Sequence, residues 1–172
     1  RRYGSPYPMM LLTNETHLPT GGELRTACDR LGVQVTPVED VPIPPSIEAS
    51  LRLEKWRRSW LKLQIWRLTQ FERLIWMDSD AIVTKPIDWL FLRTPLWMMR
   101  DTTMCNTTTY LANSAIMLIQ PNEHTYQDML RFASTLGKLR RGDQELIVRY
   151  FRTVLRRPTK LLDAKEASFG YC

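Results

Sequence analysis

Residues 60–92 read WLKLQIWRLTQFERLIWMDSDAIVTKPIDWLFL, and their reading decides the fold. Leu61, Ile65 and Leu68 recur at helical spacing with polar Gln64, Arg67 and Gln70 between them, which predicts a helix. Leu74, Ile75, Trp76 and Met77 form a short, continuous apolar run that suits a strand covered on both faces. The run stops at Asp78-Ser79-Asp80, and a second short strand and a short helix are expected after it. In extended chain, side chains two apart project to one side, so Asp78 and Asp80 can converge on a single cation. A carboxylate pair at the C-terminal end of a buried strand sits where open α/β sheets keep their ligands. The plainer reading is that the acids only end a strand at the solvent boundary.

Upstream, residues 8–13 (PMMLLT) read as a buried strand ended by Asn14. Thr20-Gly21-Gly22-Glu23 offers a helix start, Leu24, Ala27, Cys28 and Leu31 an apolar face, and Gly32 a stop. Val33, Val35 and Val38 form a second strand, and strand-helix-strand order predicts a right-handed crossover between parallel neighbours. Pro42, Pro44 and Pro45 make residues 39–46 a loop. Trp56 and Trp60 are expected as core anchors.

Downstream, residues 96–99 read as a strand and 102–110 as a polar loop over the site. The apolar half of residues 111–120 is a further strand, and Pro121-Asn122 opens a helix through Phe132. Gly142 starts the last helix, with Leu146, Ile147, Tyr150, Phe151 and Val154 facing inward.

The 172 residues suit one domain with one core, and 44% hydrophobic with 24% charged residues is ordinary for a globular chain. No run approaches the ~20 apolar residues of a membrane span. The net charge of +6 comes from scattered doublets such as Arg57-Arg58 and Arg140-Arg141, not from a nucleic-acid module, so no nucleic-acid polymer is expected as partner. Cys28, Cys105 and Cys172 show no metal-ligand spacing, and an odd count cannot be a closed disulfide set. Asn14 and Asn106 both open glycosylation sequons, which chance supplies easily. The compartment stays open between cytoplasm and Golgi lumen.

Taken together, Lys62-Leu63, Leu68-Thr69-Gln70, Asp78-Ser79-Asp80 and Pro86-Ile87-Asp88 before Leu90-Phe91 resemble the glycogenin-like glycosyltransferases, retaining family 8. Two later blocks fall in the family's order: Asn113-Ser114-Ala115 through Pro121, and Gly142-Asp143-Gln144. The resemblance implies a Rossmann-like α/β domain of the GT-A type with a mostly parallel central sheet, spanning 1–172 as a single domain incomplete at both ends. It implies metal-assisted transfer of a sugar, a hexose or hexuronic acid, from a nucleotide-diphosphate donor, UDP-linked, with retained configuration. Asp78 and Asp80 would hold Mn²⁺ or Mg²⁺, Ser79 would lie near the ribose, and Lys62 would reach the donor as a point charge. Asn113, Ser114, Asp143 and Gln144 would hold the sugar, with Asp143 or Gln144 closest to the reacting carbon. The acceptor is a glycan, protein or lipid, and a homodimer is one allowed assembly.

The chain departs from the family at Ala115, which stands where Gly is usual, and at Glu145 in place of a small residue. The family's first strand and its C-terminal His-containing segment find no counterpart, since His17 and His124 lie in other contexts. Two rivals share the acids. A haloacid dehalogenase-type phosphatase would use Asp78 as nucleophile and Asp80 as acid, but needs a second acid where Ile147 stands. An inactive domain that only binds a sugar nucleotide is the other.

Overall fold

A computed structural model describes residues 4–18, 22–51, 54–101, 111–157, 159–163 and 165–166. The polar loop expected over residues 102–110, and Cys105, Asn106 and Cys172, lie outside them.

Strand β1 (Met9–Thr13), helix α1 (Leu24–Arg30) and strand β2 (Val33–Pro37) form the expected unit, with β1 and β2 parallel. Gly32 ends α1 at a φ of 66°, a left-handed turn that glycine adopts without a Cβ penalty. The Val38 N–H continues the ladder, donating to the Thr13 carbonyl at 3.0 Å. In the proline-rich stretch, Pro45 opens a single helical turn, α2 (Pro45–Glu48).

Helix α3 (Glu54–Arg58) runs directly into a nine-residue 3₁₀ helix, Ser59–Arg67, where an α-helix was expected. The apolar spacing explains both the expectation and the outcome. At three residues per turn, positions three apart stack, so Trp60-Leu63-Trp66 and Lys62-Ile65-Leu68 become two straight columns. All six are buried. In an α-helix each three-residue step falls about 60° short of a full turn, and these columns would splay.

The second sheet has the order β3 (Leu74–Met77), β5 (Leu111–Ile119), β4 (Trp97–Asp101), β6 (Lys160–Leu161). Strand β5 runs antiparallel to both β3 and β4, and β6 is parallel to β4. The α/β class therefore stands, while this sheet is mixed rather than mostly parallel. A continuous apolar run signals burial but carries no direction. Strand β3 is also half-buried rather than covered, because it lies at the sheet's edge with β5 as its neighbour. Residues 81–87 form no strand after the acids, and Ile82, 86% exposed, has nothing to pack against. A short 3₁₀ helix, Asp88–Leu92, follows in place of the expected short helix.

Helices α4 (Glu123–Ser134) and α5 (Gly142–Thr153) close the core. The Asn122 side chain caps α4 by accepting from the Thr125 N–H at 2.8 Å. Tyr126, Met129 and Ala133 give α4 its buried stripe, and Leu146, Ile147 and Tyr150 give α5 its own. Trp60 is a core anchor as expected and Trp56 is half-buried. Val154 is 42% exposed instead of inward, because α5 ends one residue before it.

Between α4 and α5, the fully buried Tyr150 donates its hydroxyl to Asp128 at 3.2 Å. Burial and the neighbouring Asp128 charge push the phenol up to about 12. The neutral phenol is thus favoured by the fold, and its contribution holds below the unfolded value of about 10 and fades as pH rises toward 12. Tyr150→Phe should cost roughly 1–2 kcal/mol at neutral pH. Urea unfolding of both proteins should show that gap shrinking above about pH 10. A gap that stays constant to pH 12 would show that the phenol does not titrate with folding.

Candidate functional site

At the carboxyl end of β3, three elements meet around one ammonium group. Lys62 comes from the 3₁₀ helix, Asp78 from the end of β3, Ser114 from β5 and Asp143 from the start of α5. Lys62 Nζ donates to Asp78 Oδ1 at 2.8 Å and to Ser114 Oγ at 3.1 Å, and stands 3.3 Å from Asp143 Oδ2. The third hydrogen bond of the ammonium goes to the Ser114 carbonyl at 3.4 Å, with Asp143 beside it as a countercharge. The Ser114 hydroxyl donates in turn to Asp143 Oδ2 at 2.7 Å. The side chains of Lys62 and Asp143 are 6% and 5% exposed, whereas that of Asp78 is 31% exposed and faces the open side.

Each partner is delivered by a local feature of the backbone. In β5 the register with β4 jumps from Met98 opposite Met117 to Met99 opposite Asn113, which leaves Ser114, Ala115 and Ile116 without β4 partners. Bulges of this kind re-aim side chains beside functional sites. The displaced segment is held from the other side: Asp78 N–H donates to the Ala115 carbonyl at 2.8 Å, and Ala115 N–H to Asn113 Oδ1 at 2.7 Å.

Asp143 is set by Gly142, whose φ is 55°. A Cβ at Gly142 would lie 3.3 Å from the Trp56 carbonyl oxygen and 3.4 Å from Ser59 Oγ. A side chain at this position would strain the backbone and crowd the α3 junction where helix α5 begins. Asp143 is the second residue of that helix and does not cap it, for its carboxylate turns to Ser114 and Lys62.

The cluster opens into a cleft of about 1230 Å³ lined by Lys62, Asp78, Ser79, Asp80, Asn113, Ser114, Asp143 and Gln144, among others. The structure thus brings all eight candidate residues of the sequence to one cavity. They differ in access. Ser79 and Asp80 are exposed, Asn113 and Gln144 are half-buried, and Asp143 lies at the bottom. Gln144 Oε1 accepts from the Ser114 N–H at 3.4 Å, which ties α5 to the β5 bulge a second time.

One residue that the spacing could have supplied was missed. Trp76 precedes Asp78 by two positions in extended chain, so both face one side, and its indole N–H donates to Asp78 Oδ1 at 2.7 Å.

One ammonium faces two carboxylates, so the cluster keeps an excess of negative charge to which exposed Asp80 adds. Two carboxylates at the cleft mouth are hard oxygen donors, and no group of three acidic, His or Cys side chains able to hold a metal occurs among the described residues. That donor set fits an ion such as Mg²⁺ or Mn²⁺, which takes one or two carboxylates and completes its shell from phosphate and water. The phosphatase rival gains nothing here: Ile147, at the position of its second acid, is fully buried in the core.

No family model matches the chain. Among known proteins it is 37% identical to mouse glycogenin-1 over 90 residues, which is 52% of this chain and 26% of that one. It is 24% identical to UDP-glucuronate:xylan alpha-glucuronosyltransferase 1 of Arabidopsis thaliana over 144 residues, 84% of this chain and 20% of that one. Inositol phosphorylceramide glucuronosyltransferase 1 of the same plant is 29% identical over 92 residues, 52% of this chain and 16% of that one. The chain therefore spans about a quarter or less of the length of these relatives. No helix among the described residues is long and apolar enough to cross a membrane.

If the buried charges act as one unit, removing the ammonium leaves Asp143 uncompensated. Lys62→Met should cost about 3–5 kcal/mol in urea unfolding. Adding Asp143→Asn should recover part of that loss, since the two sites share one network. A single-variant loss below about 1 kcal/mol, no larger than an ordinary net hydrogen bond, would disprove the coupling.

Proposed function

As the chain is a relative of the glycogenin-like glycosyltransferases of family 8, we propose that its cleft serves transfer of a sugar from a nucleotide-diphosphate donor to a glycan, protein or lipid acceptor. The donor is UDP-linked, a hexose or hexuronic acid, and the anomeric configuration is retained. The observation that carries this reading is the convergence of the eight side chains, from four separate elements, on the cleft beside Asp78. Similarity to the Arabidopsis UDP-glucuronate:xylan alpha-glucuronosyltransferase 1 supports the donor class.

In this reading Asp80 and Asp78 hold a divalent ion, Mn²⁺ or Mg²⁺, at the cleft mouth. The ion supplies Lewis-acid neutralisation of the departing diphosphate when bound. Ser79, exposed between the two acids, meets the ribose. Lys62 fixes Asp78 and Asp143 relative to each other and lends positive charge beneath the donor. Asn113 and Ser114 line the sugar pocket from the bulge. Gln144 stands nearer the reacting carbon than Asp143, whose carboxylate is buried and already held by Ser114 and Lys62.

The test is thermal unfolding with UDP-glucose or UDP-glucuronate, with and without Mn²⁺. A ligand at a hundredfold excess over its Kd stabilises by about 2.7 kcal/mol, roughly 5–10 °C in Tm for a chain of this size. The wild type should show that shift only with metal present, and Asp80→Asn should abolish it while its own Tm without ligand stays within about 2 °C of wild type. An undiminished metal-dependent shift in Asp80→Asn would overturn the metal assignment.

A further inference from the structure

Asp78 has two carboxylate oxygens, and the same one, Oδ1, takes both inward hydrogen bonds. The Trp76 indole N–H reaches it at 2.7 Å and Lys62 Nζ at 2.8 Å. The two donors come from different elements: Trp76 lies in β3 and Lys62 in the 3₁₀ helix. The ammonium also lies 5.7 Å from the centroid of the Trp76 ring, so indole, ammonium and carboxylate form a closed triangle.

A carboxylate held by one donor can still rotate about its Cβ–Cγ bond, because that torsion is broad. Two donors from separate rigid elements on a single oxygen remove this freedom. We propose that Trp76 is a positioning residue: its N–H, with Lys62, reserves Oδ1 of Asp78 for the protein and presents Oδ2 to the ligand in the cleft. The inference rests on the metal-nucleotide reading above and adds the residue that sets which carboxylate oxygen is offered. It also accounts for a polar indole edge in a strand that is otherwise apolar from Leu74 to Met77.

The test separates the N–H from the ring. Mn²⁺ affinity in the presence of UDP is measured by calorimetry for wild type, Trp76→Phe, Trp76→His and Trp76→Leu, each checked for an unchanged cooperative unfolding transition. A hydrogen bond to a charged group carries about tenfold or more in an equilibrium constant. Trp76→Phe, which keeps an aromatic ring but no donor, should therefore weaken Mn²⁺ binding roughly tenfold, and Trp76→Leu should be no worse. Trp76→His, whose smaller ring restores an N–H donor, should bind Mn²⁺ more tightly than Trp76→Phe. That rescue is a readout that simple loss of packing would not produce. Wild-type affinity in Trp76→Phe with a loss confined to Trp76→Leu would overturn the proposal, because the ring alone would then matter. Affinity in Trp76→His no better than in Trp76→Phe would overturn it too. Absence of Mn²⁺-UDP binding in the wild type itself would instead overturn the metal-nucleotide reading, and the proposal with it.

Discussion

A single buried ammonium governs the arrangement of this fold's functional end. Lys62 cannot be left alone in the interior: an ammonium removed from water is stable there only with its donors met and its charge answered. Asp78, Ser114 and Asp143 meet those needs, and they come from three elements far apart in sequence. The end of β3, the bulge of β5 and the start of α5 are consequently drawn together at one point. Each of the three is also fixed from behind, by the β3–β5 ladder, by the Asn113–Ala115 bond and by the contact of Gly142 with Trp56. The charge cluster sets the direction of the side chains, and the backbone sets their distance.

The same arrangement divides the acids by environment. Asp143 is enclosed and committed to internal partners, Asp78 is anchored on one oxygen and open toward the cleft, and Asp80 is free in solvent. Three chemically identical carboxylates thereby offer different things to a ligand: an enclosed charge at the floor, a half-anchored group and a solvent-exposed one. Graded access of this kind suits a ligand that arrives with charge of its own, since only the outer groups need to give up water on binding.

Much of this was legible in the sequence, and the parts that were not share a cause. The run Leu74–Met77 announced the strand, and the acids after it mark the strand end that lines the cleft. Gly142 and Gly32 marked a helix start and a helix stop through conformations that other residues resist. What could not be read was anything that depends on a neighbour's position. Leu61, Ile65 and Leu68 fit the face of an α-helix while Trp60, Leu63 and Trp66 fit a 3₁₀ column, so the turn of residues 59–67 was decided by packing. The β5 bulge leaves no mark in composition. Asp143 beside a helix start looks like a cap until Lys62 is seen across from it. Val154 has the right period for α5 but falls after its last turn.

The 3₁₀ helix carries a further consequence, for length variation among versions of this chain. Its columns repeat every three residues, so one residue inserted or deleted within 59–67 rotates everything beyond the change by about 120°. A deletion ahead of Lys62 would bring the tryptophan column into the place of the lysine column and set Leu63 where Lys62 now stands, and an insertion there would set Leu61 in it. Neither the core nor the charge cluster has room for that exchange. Versions that keep this cleft should therefore tolerate gaps in the surrounding loops but hold this segment to a fixed count, or change it by whole turns.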